Sequence, residues 1–307
     1  MKFVSFKHHK KTKVGLLISK TRLIDISDII NNRDMIFLIS NYNEIKNMIQ
    51  DSVLCNSNSY SLNEVELLSP IPRPKSLRDA YSFRQHVETS RKNRNLEMIK
   101  EFDDFPVYYY SNHNSVIGPG KSYIDKYFSK KLDYELEIAA IIGKECSNVS
   151  LDKADDCIFG LTIMNDLSSR EIQQKEMKLN LGPAKGKDFG TVLGPCITTI
   201  ESIKDKTHKT SAGNIYDLEL KAKINGNLKS IDNLKNMNWT FAQIIERISK
   251  GVKLYPGDVI GSGTCATGCF YELNSNKEEA EYWLKNNDEI ELYAEKIGLL
   301  KTVIKII

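Results

Sequence analysis

No CxxC pair occurs among the six cysteines, Cys55, Cys146, Cys157, Cys196, Cys265 and Cys269. They are scattered through apolar or loop contexts, so no disulfide framework is implied and a reducing cytoplasm is expected. Cys265 and Cys269 stand four apart, but no neighbouring His/Cys pair in the sequence completes a zinc set. No run of about 18 apolar residues appears, so no membrane partner is expected. The N-terminus lacks an apolar signal core. Charge of one sign is not in excess either. The 43 basic and 40 acidic residues leave a net charge of +3, which calls for no nucleic acid or other polyanion. One basic cluster, KHHKKTK at 7–13, reads as a solvated hairpin turn. No internal repeat, low-complexity tract or nucleotide P-loop is seen.

What is present is an ordinary globular composition, 41% hydrophobic and 27% charged over 307 residues. Residues 1–70 read as short strands, turns and one helix near 43–51. Pro70, Pro72 and Pro74 then force an extended run. That run divides a small N-terminal β domain, 1–70, from a main domain, 71–307. In the main domain β-like runs dominate: PVYYYS, SVIGP, YELEIAAIIG, TVLGPCITTI, YDLELKAKING, DVIGSGT and DEIELYAEKIG. One helix is predicted from near Asp166 through SSREIQQKEM. Another is WTFAQIIERISKG, with Phe241, Ile244, Ile245 and Ile248 at helical spacing and Gly251 as its stop. Many strands with few helices predict a mostly β fold, largely antiparallel and of barrel or roll type. The large domain is expected to be a mixed β-strand roll.

Five segments carry candidate chemistry. In LDYELEIAAIIG, alternate residues share a strand face, so Glu135 and Glu137 project together about 7 Å apart. Two readings stand: a solvated strand face, or like charges relieved by a hard divalent cation. Asp166, Arg170, Gln173 and Met177 fall at helical spacing, one stripe of acid, guanidinium and amide, although Asp166 alone would serve as a helix cap. Glycines 182, 186, 190 and 194 make a permissive loop around Lys185 and Lys187. In PGDVIGSGT, backbone N–H groups and the Thr264 hydroxyl could receive a carboxylate or oxyanion. His86, one of five histidines, lies near Asp79 and Tyr81 and is either structural or a base.

Taken in order, these motifs resemble the fumarylacetoacetate hydrolase family over about 79–298. The motifs are DAYSFRQH, DYELE, MNDLSSREIQ, LGPAKGKDFGT, the Asn238-Trp239-Thr240 helix start, PGDVIGSGT and DEIELYAEKIGLL. The resemblance implies that Asp79, Glu135, Glu137 and Asp166 are metal ligands, with Thr191 near a second, structural cation. It implies His86 as general base, Glu272 as the carboxylate that orients it, and Arg170, Gln173 and Lys187 as groups binding substrate oxygens. Tyr81, Tyr109 and Thr264 match substrate contacts. Met177 departs from a family tyrosine, and Asp188 from a usual serine.

The activity so implied is metal-dependent hydrolysis of a C–C bond in a diketo acid such as fumarylacetoacetate or an acylpyruvate. Mg²⁺ is the first choice of cation, with Mn²⁺ or Ca²⁺ as alternatives, and the assembly expected is a homodimer. Decarboxylation, dehydration or isomerisation of a 2-oxo acid on the same fold, and a non-catalytic metal-stabilised binding protein, are the competing readings. The charged, helix-capable segment 87–104 beside His86 is expected to act as a lid.

Overall fold

Strand Ile158–Asp166 has no exposed residue, and its neighbour Leu136–Ile142 is likewise buried along its whole length. Both lie at the centre of one large mixed sheet, where β-branched and other apolar residues must cover two faces at once. The computed structural model describes residues 1–55, 58–274 and 282–307. From edge to edge the main path of the sheet runs Ser59–Ser61, Arg22–Asp25, Lys11–Leu17, Lys2–His8, Thr191–Thr199, Ile158–Asp166, Leu136–Ile142, Val259–Gly261, Leu77–Ala80 and Tyr108–Ser111. Neighbours pair antiparallel except Val259–Gly261 with Leu77–Ala80, which are parallel. A second sheet orders Asn227–Asn233, Glu219–Ile224, Glu289–Ala294, Gly298–Ile306 and Gly120–Ile124.

Strand alternation sends side chains to two cores. Leu136, Ile138, Ala140 and Ile142 point into a cluster shared with Leu220, Ile224, Leu292 and Ile304 of the second sheet. Helix Phe241–Ser249 buries the four predicted apolar residues in the same cluster. Thr240 and Gln243 close its first turn with a capping box. Gly251, at φ +73°, follows its end. Ala139 and Ile141 face the other way and join Leu193, Ile197 and Val259 beneath Met35, Leu38 and Ile49 of two N-terminal helices.

The mostly β expectation holds, and the seven predicted main-domain runs each contribute strands. The boundary at residue 70 is not a break between cores. Strand Lys2–His8 pairs antiparallel with Thr191–Thr199, and residues from both sides of the proline run share one cluster. The basic cluster is the hairpin turn expected, with exposed His9 and Lys10 at φ +45° and +66°, the left-handed twist that two-residue hairpins favour. The predicted helix from Asp166 does not start there. Asp166 ends a strand, and the helix is Arg170–Met177. The stripe is therefore Arg170, Gln173 and Met177 only. No helix among the described residues is long and apolar enough to cross a membrane.

Candidate active site

The two inner strands and the parallel pair beside them deliver acids to one place. Asp79 comes from Leu77–Ala80, Glu137 from Leu136–Ile142, and Asp166 from the end of Ile158–Asp166. One carboxylate oxygen of each lies within 4.8 Å of the other two, and all three residues are buried. Gly261 pairs directly with Asp79. A Cβ at Gly261 would collide with Asp79 Oδ1 and with Met164 Cε and stand 3.0 Å from Glu137 Oε2, so the missing side chain keeps the cradle open. The N–H of Gly263 donates to Asp79 Oδ1 at 3.1 Å, and the Thr264 hydroxyl donates to Glu137 Oε1 at 3.2 Å. The Gly-Ser-Gly-Thr tip thus spends its donors on the protein's own carboxylates.

Three like charges in a dry site cannot all be ionised without a counter-charge. Burial, then the charge of Asp166, pushes Asp79 up to about 7. Burial and Asp79 push Glu137 well above the usual carboxylate range. Glu137 Oε2 and Asp166 Oδ1 have no hydrogen-bond partner. Orphaned carboxyl oxygens around a gap, in groups that burial makes costly to ionise alone, are what a hard divalent cation would satisfy, so the residues fit one.

Glu135 is placed differently from its expected role beside Glu137. It precedes the strand, and both its oxygens are taken: Lys187 Nζ donates to Oε2, and Arg170 Nη2 donates to Oε1 at 2.6 Å. Burial pushes the Glu135 carboxyl up, but Lys187 and Arg170 overcome it and hold the group well below its usual range. Lys187 Nζ also donates to Asp166 Oδ2 at 2.7 Å, and the Tyr109 hydroxyl donates to the same oxygen at 2.5 Å. Thr191 is the buried cross-strand neighbour of Asp166.

Asp133, which the sequence does not single out, is an organiser. It is fully buried, accepts from Arg170 Nε at 2.9 Å, and accepts from the N–H groups of Phe270 and Tyr271 at 2.8 and 3.0 Å. It therefore ties Arg170 to the start of helix Phe270–Leu273, which carries Glu272. Glu272 Oε1 is 2.5 Å from His86 Nδ1, across 186 residues of sequence. Its Oε2 accepts from the N–H of Thr267, a β-branched residue held at φ +58°. His86 sits on helix Arg84–Lys92, with Nε2 3.5 Å from Ser90 Oγ, and the Tyr81 ring meets its edge at 5.8 Å.

These groups surround one cavity of about 740 Å³. Asp79, His86, Glu135, Arg170 and Lys187 line it, whereas Glu137 and Asp166 are buried behind them and are not part of its lining. Gln173, Tyr81, Tyr109 and Thr264 also line it. Leu96, Val107, Tyr108, Met177 and Tyr271 give it an apolar side. The charged segment expected to form a lid contributes Ser90, Asn93, Arg94 and Leu96. It is tied down by Asn93 Nδ2 to the Tyr271 carbonyl and by Trp239 Nε1 to the Phe102 carbonyl, both at 3.0 Å.

The family model for the C-terminal domain of fumarylacetoacetate (FAA) hydrolase matches residues 75–305. The chain belongs to this family. It is 30% identical over 252 residues to the oxaloacetate tautomerase YisK of Bacillus subtilis, covering 80% of this chain and 75% of that protein. The fold is that of the fumarylacetoacetate hydrolase of psychrophilic Exiguobacterium antarcticum, at TM-score 0.78, 23% identity and full coverage of both chains. It is also that of maleylpyruvate hydrolase from Sphingobium sp. SYK-6, in complex with manganese(II) and pyruvate, at TM-score 0.76 and 20% identity, covering 100% of this chain and 99% of that one. The family is enzymatic, and its members include hydrolases, isomerases and tautomerases.

Proposed function

We propose that this protein is a divalent-cation-dependent hydrolase that cleaves a C–C bond in an acylpyruvate-type diketo acid. The observation that carries this reading is the His86–Glu272 pair in the wall of the cavity that also exposes Asp79, Lys187 and Arg170. Asp79, Glu137 and Asp166 would hold the cation, with Mg²⁺ or Mn²⁺ suited to an all-oxygen set. When bound there, a cation supplies Lewis-acid stabilisation of enolate charge. Glu135, neutralised by Lys187 and Arg170, would join by exchanging one of those partners.

The chain's own groups then have definite tasks. Arg170, Gln173 and Lys187 would bind the substrate carboxylate and 2-oxo oxygen. Glu272 holds the His86 Nδ1–H and leaves Nε2 as the basic nitrogen. Nε2 would take a proton from water as that water attacks the distal carbonyl carbon. The C–C bond then breaks with its electron pair passing to the pyruvyl carbon, which is afterwards protonated. The products are pyruvate and a carboxylic acid. The apolar side of the cavity suits the acyl arm of such a substrate better than a small dicarboxylate alone.

A second reading is keto–enol tautomerisation of a 2-oxo dicarboxylate, and the likeness to a named tautomerase favours it. That reaction moves a proton and needs no attacking water. An assay of β-diketone absorbance loss with coupled pyruvate detection separates the two. The expected result is hydrolysis in the wild type, a fall of about 10²–10⁴-fold in His86→Ala, and unchanged Mg²⁺ binding by calorimetry. Enol decay of oxaloacetate without pyruvate release from any acylpyruvate would replace this reading with the second. Light scattering of the purified protein would test the expected homodimer.

A further inference from the structure

We propose that Cys269, His86 and Glu272 form a second cation site, one selective for zinc, whose occupation disables the His86–Glu272 pair. A sulfur, a ring nitrogen and a carboxylate oxygen from these residues lie within 4.8 Å of one another, all buried. Glu272 Oε1 is the hub, 2.5 Å from His86 Nδ1 and 4.0 Å from Cys269 Sγ. Zinc bonds of about 2.0–2.3 Å at tetrahedral angles put donors roughly 3.3–3.7 Å apart. The two separations bracket that range, so small side-chain shifts suffice. In sequence, Cys265 and Cys269 find no zinc partners nearby. The fold supplies Cys269 with His86 from 183 residues upstream, beside Glu272 one turn of helix downstream.

Donor chemistry separates this place from the acid trio. Asp79, Glu137 and Asp166 offer only hard oxygens, whereas thiolate and imidazole select zinc over magnesium or calcium. The scaffold is firm. Cys269 is the N-cap of helix Phe270–Leu273, whose first N–H groups are held by Asp133, and helix Arg84–Lys92 packs against it. His86 lines the cavity, which gives a route in and room for water as a fourth ligand. Binding converts the Cys269 thiol to thiolate and releases its proton to solvent. Burial keeps that thiol neutral while no cation is bound, so the resting site adds no charge. Zinc on Glu272 Oε1 and the imidazole would remove the hydrogen bond that orients the base. That last step, inhibition, rests on the hydrolytic reading above, and binding itself does not.

The test uses the full chain loaded with Mg²⁺. Cobalt(II), a spectroscopic stand-in for zinc, should give the wild type a thiolate-to-metal charge-transfer band that Cys269→Ser lacks, and zinc should displace it. Zinc should inhibit turnover in the wild type, and Cys269→Ser should need about 10–100-fold more zinc for the same effect while keeping its basal rate. Cys269→Ala serves where serine disturbs folding. Absence of the cobalt band in the wild type, or the same band in both variants, would overturn the site. Equal zinc sensitivity would place the inhibition at the acid trio instead. If no diketo acid is turned over but the band depends on Cys269, the hydrolytic reading fails and the site stands.

Discussion

Raising the pH of the cation-free protein should cost it stability, through Asp79. Burial and the charge of Asp166 push this carboxyl up to about 7, against about 3.8 in an unfolded chain. Below the lower value both states are protonated and the group has no effect. Between the two values the unfolded chain has lost the proton and the folded one keeps it. Folded protein binds more protons there, so stability falls as pH rises, and it levels off above about 7. Three pH units at 1.36 kcal/mol each correspond to a loss on the order of 4 kcal/mol. The comparison that isolates the group is wild type against Asp79→Asn, which is permanently uncharged and can still accept from the N–H of Gly263. Urea unfolding in chelator should show the variant gaining on the wild type by about 3 kcal/mol between about pH 5 and pH 7.5. Saturating Mg²⁺ should abolish that trend in the wild type by supplying the missing counter-charge. A gap that stays constant with pH, or one that closes as pH rises, would refute the argument.

Two further outcomes follow from the packing. Gly261→Ala puts a methyl against Asp79 Oδ1 and Glu137 Oε2, so Mg²⁺ affinity measured by calorimetry should drop at least tenfold for a stability cost of about 1–3 kcal/mol. Unchanged affinity would show that the gap is not where the cation sits. Deleting residues 2–70 should leave no cooperatively folded domain, because Leu193, Ile197 and Val259 would lose their cover. A fragment of 71–307 with a sharp thermal transition and full near-UV dichroism would disprove the shared core.

The parts of the site that were legible in sequence are those whose chemistry is local. DYELE announces clustered acids beside a strand, and the Gly-Ser-Gly-Thr tip announces donors, because both patterns lie within a few residues; that those donors are taken by Asp79 and Glu137 is not local. The parts that were not legible depend on distant partners. Asp133 looks like one more alternating acid until Arg170, 37 residues on, and the N–H of Phe270, 137 residues on, close around it. Nothing in PGDVIGSGT marks Gly261 as the position whose missing side chain leaves space beside two carboxylates. The Asp166 stripe misled because an apolar run ending in Asn-Asp fits a helix cap as well as a strand end. Only pairing with Thr191 and Leu136–Ile142 decides for the strand. The pairing of the N-terminal residues with the main sheet was not legible for a similar reason. Pro70, Pro72 and Pro74 do extend the chain, but no local pattern reveals that Lys2–His8 pairs with Thr191–Thr199.

One strand shows why such a site can exist at all. In Leu136–Ile142, residues 137, 139 and 141 share a face, and within two steps that face passes from a carboxylate to dry core. Ala139 and Ile141 are covered by the N-terminal helices, whereas Glu137 lies past their reach, between Asp79, Thr264 and Gly261. An acid so placed gains little from water and much from a counter-ion. The same cover that makes the core therefore sets the electrostatic demand of the pocket beside it. Lys187 meets part of that demand by bridging Glu135 and Asp166, and it cannot meet the rest because neither Asp79 nor Glu137 is among its hydrogen-bond acceptors. What remains is the unpartnered Glu137 Oε2 next to a carboxyl that ionises only near neutrality, which is why a divalent cation rather than a second lysine fits the gap.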